Sequence, residues 1–369
     1  MCIGGRLLYA RNRLGLTLAQ VQERVSIGES SLSEFENDKR EPKLSQLHAL
    51  ARVYHLSVSF FLSEGAIPRE MVLWRVQPEE AKEIEGRFLK LCNQYRNLEI
   101  WCDEPKRESL PKVQGNAQTF EYPQAEILAK QVRDMLQLGD QPGHSLLRVL
   151  EEECGVKIFH MEFQPSGTAA STKSEACGSA ILLNSLNARW RRNFDLAHEL
   201  FHLLAWEILH SDIESPSSVA GQREESLADW FAAFLLMPED AIKDALNQHT
   251  REGKVPFEAL FDIARLFDVS TEALVWRLHN TFKWRNVEET KKIIEKAKAL
   301  APILENEQKD DNPPPKWPQR YHSLAMNALR HGKISIGRFA EYLEISRREA
   351  LKYVEQEVED GQDIEITPA

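Results

Sequence analysis

The run His198-Glu199-Leu200-Phe201-His202 constrains this chain more than any other stretch. Two imidazoles four residues apart converge on one point only if the backbone between them is helical, because residues i and i+4 then share a face one turn apart. The neighbouring Phe194, Leu196, Ala197, Leu200, Phe201, Leu203 and Leu204 surround that face with apolar bulk, so the helix has to be buried. A buried helix with this pattern points to a metal. His198 and His202 would be ligands, and Glu199 would lie on the adjoining side, within reach of a water on the ion. The plainer alternative is a core helix carrying two incidental histidines.

A catalytic ion of this kind takes three protein ligands and keeps a fourth position open. The next helical stretch, Glu224-Glu225-Ser226-Leu227-Ala228-Asp229-Trp230-Phe231 and onward to Pro238, can supply the third. Its stripe of Leu227, Phe231, Phe234 and Leu235 can pack beside the first helix, and Glu225 and Asp229 share a face next to that stripe. Glu225 is the better candidate ligand. Asp229 can accept from the non-ligating nitrogen of a histidine and fix its tautomer, and Glu224 reads as an acid turned to solvent. Such an ion lowers the pKa of a bound water and polarises a carbonyl, and Glu199 would act as general base. Two imidazoles and one carboxylate suit zinc, with manganese left open.

The whole chain sets looser bounds. Its 369 residues allow two or three domains, and 42% hydrophobic residues allow a sizeable core. A net charge of -11 argues against a surface built wholly for nucleic acid, though not against one local DNA-binding module. Five scattered cysteines (Cys2, Cys92, Cys102, Cys154, Cys177) with no Cys-x-x-Cys pair fit reduced thiols, and no secretory or membrane-spanning run is found. The expected compartment is the cytoplasm, with no membrane partner.

Along the chain, residues 1–64 read as five short helices, with Thr17 capping the second. Residues 65–121 read as a helical connector and linker, with one amphipathic helix over Glu79–Trp101. Residues 122–283 contain helices near Ala125–Leu138 and Leu146–Glu153. Strands are expected at Val156–Phe163 and Gly178–Asn184, followed by helical stretches near 193–209, 223–236 and 256–281. Residues 284–316 are a charged helical tether closed by Pro313-Pro314-Pro315, and 317–369 are helical again. Three segments share one pattern, an apolar helix end, a short turn and a capping serine: Ala51–Ser57, Ala264–Ser270 and Ala340–Ser346. Residues 207–222, rich in serine (Ser211, Ser215, Ser217, Ser218), read as a loop between the two metal-binding helices. His160, His210 and His249 are expected to be ordinary histidines. Arg189, Arg191 and Arg192 are expected to be solvated surface.

The paired motifs Asn193–His202 and Glu225–Pro238 resemble the ImmA/IrrE metallopeptidases over roughly residues 122–283. That resemblance implies a gluzincin-type site with His198, His202 and Glu225 on zinc and Glu199 as general base. It also implies a protein substrate, a repressor of the helix-turn-helix type. Phe201 stands where Gly is common, and Asn193 and Asp195 replace a frequent Arg and Thr; Phe201 is therefore expected to narrow the space beside the metal helix. The N-terminal segment is similar to the XRE group of lambda-repressor-like domains, with Glu29–Glu36 as recognition helix. Candidate DNA contacts are Glu29, Ser30, Ser31, Ser33, Lys39 and Arg40. Eight Lys/Arg against seven Asp/Glu in residues 1–64 leave this domain weakly charged, so a protein partner competes with DNA as its target. Gly332–Ser335 and Ser346–Glu349 give the tail a degenerate helix-turn-helix look, without a site.

The expected architecture is mainly α and multidomain. It comprises a five-helix HTH domain, an α+β zincin-like (gluzincin) peptidase domain with a small sheet, and a helical C-terminal region. Two functions follow: a zinc endopeptidase, or a DNA-binding regulator whose metal domain senses a signal or is silent. The oligomeric state is left open.

Overall fold

The structure, a computed structural model, describes residues 3–63, 70–107, 109–113, 120–175, 177–209, 217–219, 221–252, 254–283, 285–304 and 313–360. The first five helices are α1 (Ile3–Arg13), α2 (Leu18–Arg24), α3 (Glu29–Glu36), α4 (Leu44–Val53) and α5 (Val58–Leu62). Thr17 caps α2 reciprocally with Gln20: the Gln20 N–H donates to Thr17 Oγ1 and the Thr17 N–H to Gln20 Oε1. Leu7, Val21, Leu32, Phe35, Leu47 and Phe61 close a core that belongs to these helices alone.

A short strand, β1 (Val72–Trp74), and the long helix α6 (Ala81–Trp101) follow. Then come α7 (Tyr122–Met135), α8 (Leu146–Glu152), β2 (Lys157–Met161), β3 (Ala169–Ser174) and β4 (Gly178–Asn184). The metal-motif helices are α9 (Arg189–Leu209) and α10 (Gln222–Leu236), separated by β5 (Ser217–Val219). Completing the chain are α11 (Glu239–His249), α12 (Ala259–Leu266), α13 (Thr271–Phe282), α14 (Val287–Leu304), α15 (Gln319–Arg330), α16 (Ile336–Tyr342) and α17 (Arg347–Asp360). The fold is thus mainly helical with one small sheet, in the order β2-β4-β3-β1-β5. No helix among the described residues is long and apolar enough to cross a membrane.

The sheet is covered on both faces, which fits the nearly continuous apolar runs of β2 and β4. Ile158, Ala169, Ile181 and Leu183 face the core that holds α7–α10 and α12–α13. Phe159, Met161, Ala170, Ala180 and Leu182 face a second core built from α6 and the C-terminal helices, with Tyr95, Tyr321 and Phe339 at its centre. The stretch read as connector therefore gives the sheet a strand, and α6 shares one core with the C-terminal region. Val72, Leu73 and Trp74 are sealed, and β1 lies antiparallel to β3 and parallel to β5.

Several local expectations change. The helical stretch 256–281 divides into two helices at the turn that the Ala264–Ser270 pattern implies, where Asp268 takes a left-handed conformation (φ 53°) after α12. β1, β3, β5 and α11 had no counterpart in the pattern. Within the expected 207–222 loop, Ser217 and Ser218 lie in β5 and Gly221 precedes α10, while Ser211, Ser215 and His210 fall outside the described residues.

Candidate metal centre

The centre is assembled by two packed helices. In α9 the i, i+4 spacing brings His198 Nε2 and His202 Nε2 to 3.2 Å from each other, and both rings are sealed from solvent. The first turn of α10 brings Glu225 to the pair: Oε2 lies 3.2 Å from His198 Nε2, and Oε1 lies 3.5 Å from His202 Nε2. Ligands about 2.0–2.1 Å from a tetrahedral ion sit roughly 3.3 Å from one another, so these separations match the edges of such a site. No other group of three His, Cys, Asp or Glu residues among those described converges in this way.

Both histidines are oriented from their far side. Asp229 Oδ1 lies 2.8 Å from His198 Nδ1, and Glu224 Oε1 lies 2.7 Å from His202 Nδ1. Glu224 is therefore not turned to solvent: its side chain is only 13% exposed. Each Nδ1–H donates to a carboxylate, which leaves each Nε2 lone pair for an ion.

The electrostatics favour a cation. Burial alone would keep His202 neutral, but the Glu224 and Glu225 carboxylates outweigh it and raise the imidazole to about 10. His198 is likewise held above its ordinary value against burial by Asp229 and Glu225. Burial would raise Glu225, yet the two histidines pull it down to about 2. Without a metal, protons on the imidazoles supply the positive charge that the carboxylates demand; a divalent ion would replace them. Glu225 Oε1 and both oxygens of Glu199 are buried without hydrogen-bond partners, so the residues present fit such a group. Glu199 is 1% exposed, and burial pushes its carboxyl above the usual range, the direction that suits a general base.

Arg75, just beyond β1, was invisible to the sequence reading. It reaches Asp229, Asp195 and Glu225. Its strand is only three residues long, and nothing in the local pattern distinguishes it from linker. Two of the three arginines before the motif also differ from expectation. Arg191 pairs with Asp195 and donates to the Gly167 carbonyl, Arg192 is buried and donates to the Asn187 carbonyl, and Arg189 pairs with Asp268. Arg189 is exposed as expected, while Arg191 and Arg192 brace the start of α9. Phe201 is fully buried and packs against Phe120, Phe231 and the ring of His202. His160 lies in β2, and His249 Nδ1 is bonded to the Ala245 carbonyl.

In the N-terminal domain, Glu29 and Ser30 are exposed on α3, Ser31 and Ser33 are half-buried, and Lys39 and Arg40 are exposed in the turn beyond it. Arg40 lies 3.8 Å from Glu34 and over the Phe35 ring.

Comparison with known proteins matches two segments of the chain. Residues 151–279 match the IrrE N-terminal-like domain, a peptidase family, and residues 7–61 match the helix-turn-helix family. Among curated relatives, the HTH-type transcriptional regulator ImmR of Bacillus subtilis (strain 168) is 31% identical over 70 residues, 19% of this chain and 55% of that protein. The HTH-type transcriptional regulator PuuR of Escherichia coli (strain K12) is 39% identical over 67 residues, 18% of this chain and 36% of that protein. The chain therefore spans about half or less of each curated relative. Among solved structures, a Mycobacterium tuberculosis transcriptional regulator aligns over 51% of both chains, with 13% identity and a TM-score of 0.31. The chain thus joins an N-terminal helix-turn-helix domain to a domain that matches the IrrE N-terminal-like family.

Proposed function

We propose that this chain is a zinc-dependent endopeptidase that hydrolyses a peptide bond in a protein substrate, a transcriptional repressor of the helix-turn-helix type. The observation that carries this reading is the tetrahedral spacing of His198, His202 and Glu225 beside a buried, unpartnered Glu199. The match to a peptidase family supports it, and the helix-turn-helix segment ties the chain to transcriptional control.

Zinc held by these three residues would supply Lewis-acid polarisation of a carbonyl and a water of lowered pKa. Glu224 and Asp229 keep both imidazoles in the tautomer that presents Nε2. Glu199 takes a proton from the attacking water and afterwards releases it to the departing amine, a role its raised pKa favours. The apolar shell of Leu196, Leu200, Leu227 and Phe231 excludes bulk water, which strengthens each of these interactions.

The test is elemental analysis together with cleavage of small helix-turn-helix proteins encoded beside this gene. About one zinc per chain is expected. Glu199→Gln should retain it while cleavage falls by about 100-fold or more. If zinc is present and Glu199→Gln cleaves as fast as the wild type, the mechanism is wrong. If zinc is present but neither protein cuts any candidate, and DNA is bound with a steep salt dependence, the second reading takes over: a regulator whose metal domain senses a signal.

A further inference from the structure

Arg75 lies well outside residues 151–279, yet it reaches Asp229 and Glu225 of the centre and the neighbouring Asp195. Nη2 lies 2.9 and 3.2 Å from the two oxygens of Asp229, Nη1 lies 3.4 Å from Asp195 Oδ1, and Nε lies 3.6 Å from Glu225 Oε2. The guanidinium is fixed by the backbone on either side of it. The Arg75 N–H donates to the Ala169 carbonyl and the Val76 N–H to Thr168 Oγ1, which prolongs the pairing of β1 with β3. Trp74 is fully buried, and its indole N–H donates to Glu85 of α6 at 2.6 Å.

The carboxylates need such a cation. Glu225 and Asp229 stand one turn apart on α10 and repel one another when both are ionised. Asp229 is 45% exposed, so nothing but its partners keeps it from turning towards water and releasing His198 Nδ1. A planar guanidinium can set Nη2 on Asp229, Nη1 on Asp195 and Nε near Glu225 at once, which the single nitrogen of a lysine ammonium cannot do.

We propose that Arg75 is a positioning residue of the metal centre. It holds Asp229 against His198 Nδ1 and Glu225 towards the ion, so the centre is completed by a strand from the segment leading out of the helix-turn-helix domain. The proposal rests on the reading above, in which His198, His202 and Glu225 bind zinc.

The experiment uses the full chain as wild type, Arg75→Met and Arg75→Lys. Zinc affinity is measured by competition with a chelator, and ligand geometry by the visible absorption of the cobalt(II) form. Arg75→Met should bind zinc about 10- to 100-fold more weakly, the range seen when an outer partner of a metal ligand is lost, and its cobalt bands should shift. Arg75→Lys should fall between the two, with circular dichroism unchanged in both variants. Wild-type zinc affinity in folded Arg75→Met would overturn the proposal. If Arg75→Met does not fold, unchanged affinity and an unchanged cobalt spectrum in Arg75→Lys would overturn it. If the wild type itself takes up no zinc, the metal reading fails, and this proposal with it.

Discussion

Glu224 and Asp229 each hold a different imidazole of the same helix, and they differ in how much water they meet. Glu224 is 13% exposed at the side chain and Asp229 45%. The drier carboxylate has fewer alternatives to its histidine, so its loss should be felt at least as strongly. Glu224→Ala is expected to weaken zinc binding by about 10- to 100-fold, as an orienting partner's removal does. Chelator competition checks this, and an unchanged affinity would reduce Glu224 to packing. Phe201 makes the contrasting case. One residue before a ligand, it packs mainly into the core against Phe120 and Phe231, with an edge on His202, so Phe201→Ala should cost about 3–5 kcal/mol of stability in urea unfolding. Zinc content per folded chain should be unaltered. Altered cleavage with unaltered stability would return Phe201 to the cleft.

At the level of elements, one device recurs three times. His55, Asp268 and Glu344 adopt φ of 54°, 53° and 50°. After each, a backbone N–H returns to the carbonyl five residues earlier, Leu56 to Ala51, Val269 to Ala264 and Ile345 to Ala340, all at 3.0 Å. Ser57, Ser270 and Ser346 then accept from the first turn of the next helix. Ser270→Ala should therefore destabilise the chain by about 1 kcal/mol. Asp268→Ala should cost more, because Asp268 also receives Arg189 and Asn193 from the start of α9. Urea midpoints of the two variants decide: equal losses would mean that those two bonds add nothing. This pattern was legible because helix ends depend on residues a few positions apart. So were α9, α10 and the trio they carry, whose spacing is set by one helical period and one packed neighbour. β1 and β3 were not legible. A three-residue strand has no period to read, and the serines and threonine of β3 (Ser171, Thr172, Ser174) conceal a strand whose partners come from distant sequence. Arg75 was lost with β1, because its role exists only once that strand is paired.

For the whole molecule, the question is what ties the C-terminal helices to the sheet. A buried ionic cluster bridges them: Arg320 of α15 and Lys157 of β2 both meet Glu99 of α6, at 2.6 and 3.3 Å. Glu151 of α8 lies beside it and is 4% exposed. It accepts from the Tyr95 hydroxyl at 3.4 Å and from the Arg320 backbone N–H at 3.3 Å. Burial dominates over these bonds and raises its carboxyl to about 7. An unfolded glutamate titrates near 4.3. Between those values the folded chain keeps a proton that the unfolded chain has lost, so this group's contribution to stability falls as pH rises through that window and levels off above it. The full effect is about 4 kcal/mol. Glu151→Gln retains an acceptor for both donors and cannot ionise. It should therefore be more stable than the wild type by up to about 4 kcal/mol at pH 8, with the gap shrinking to about 1 kcal/mol at pH 5. Urea unfolding at the two pH values measures the gap directly. A gap that does not change with pH would mean that Glu151 is already ionised in the folded chain, its charge compensated by the cations around Glu99.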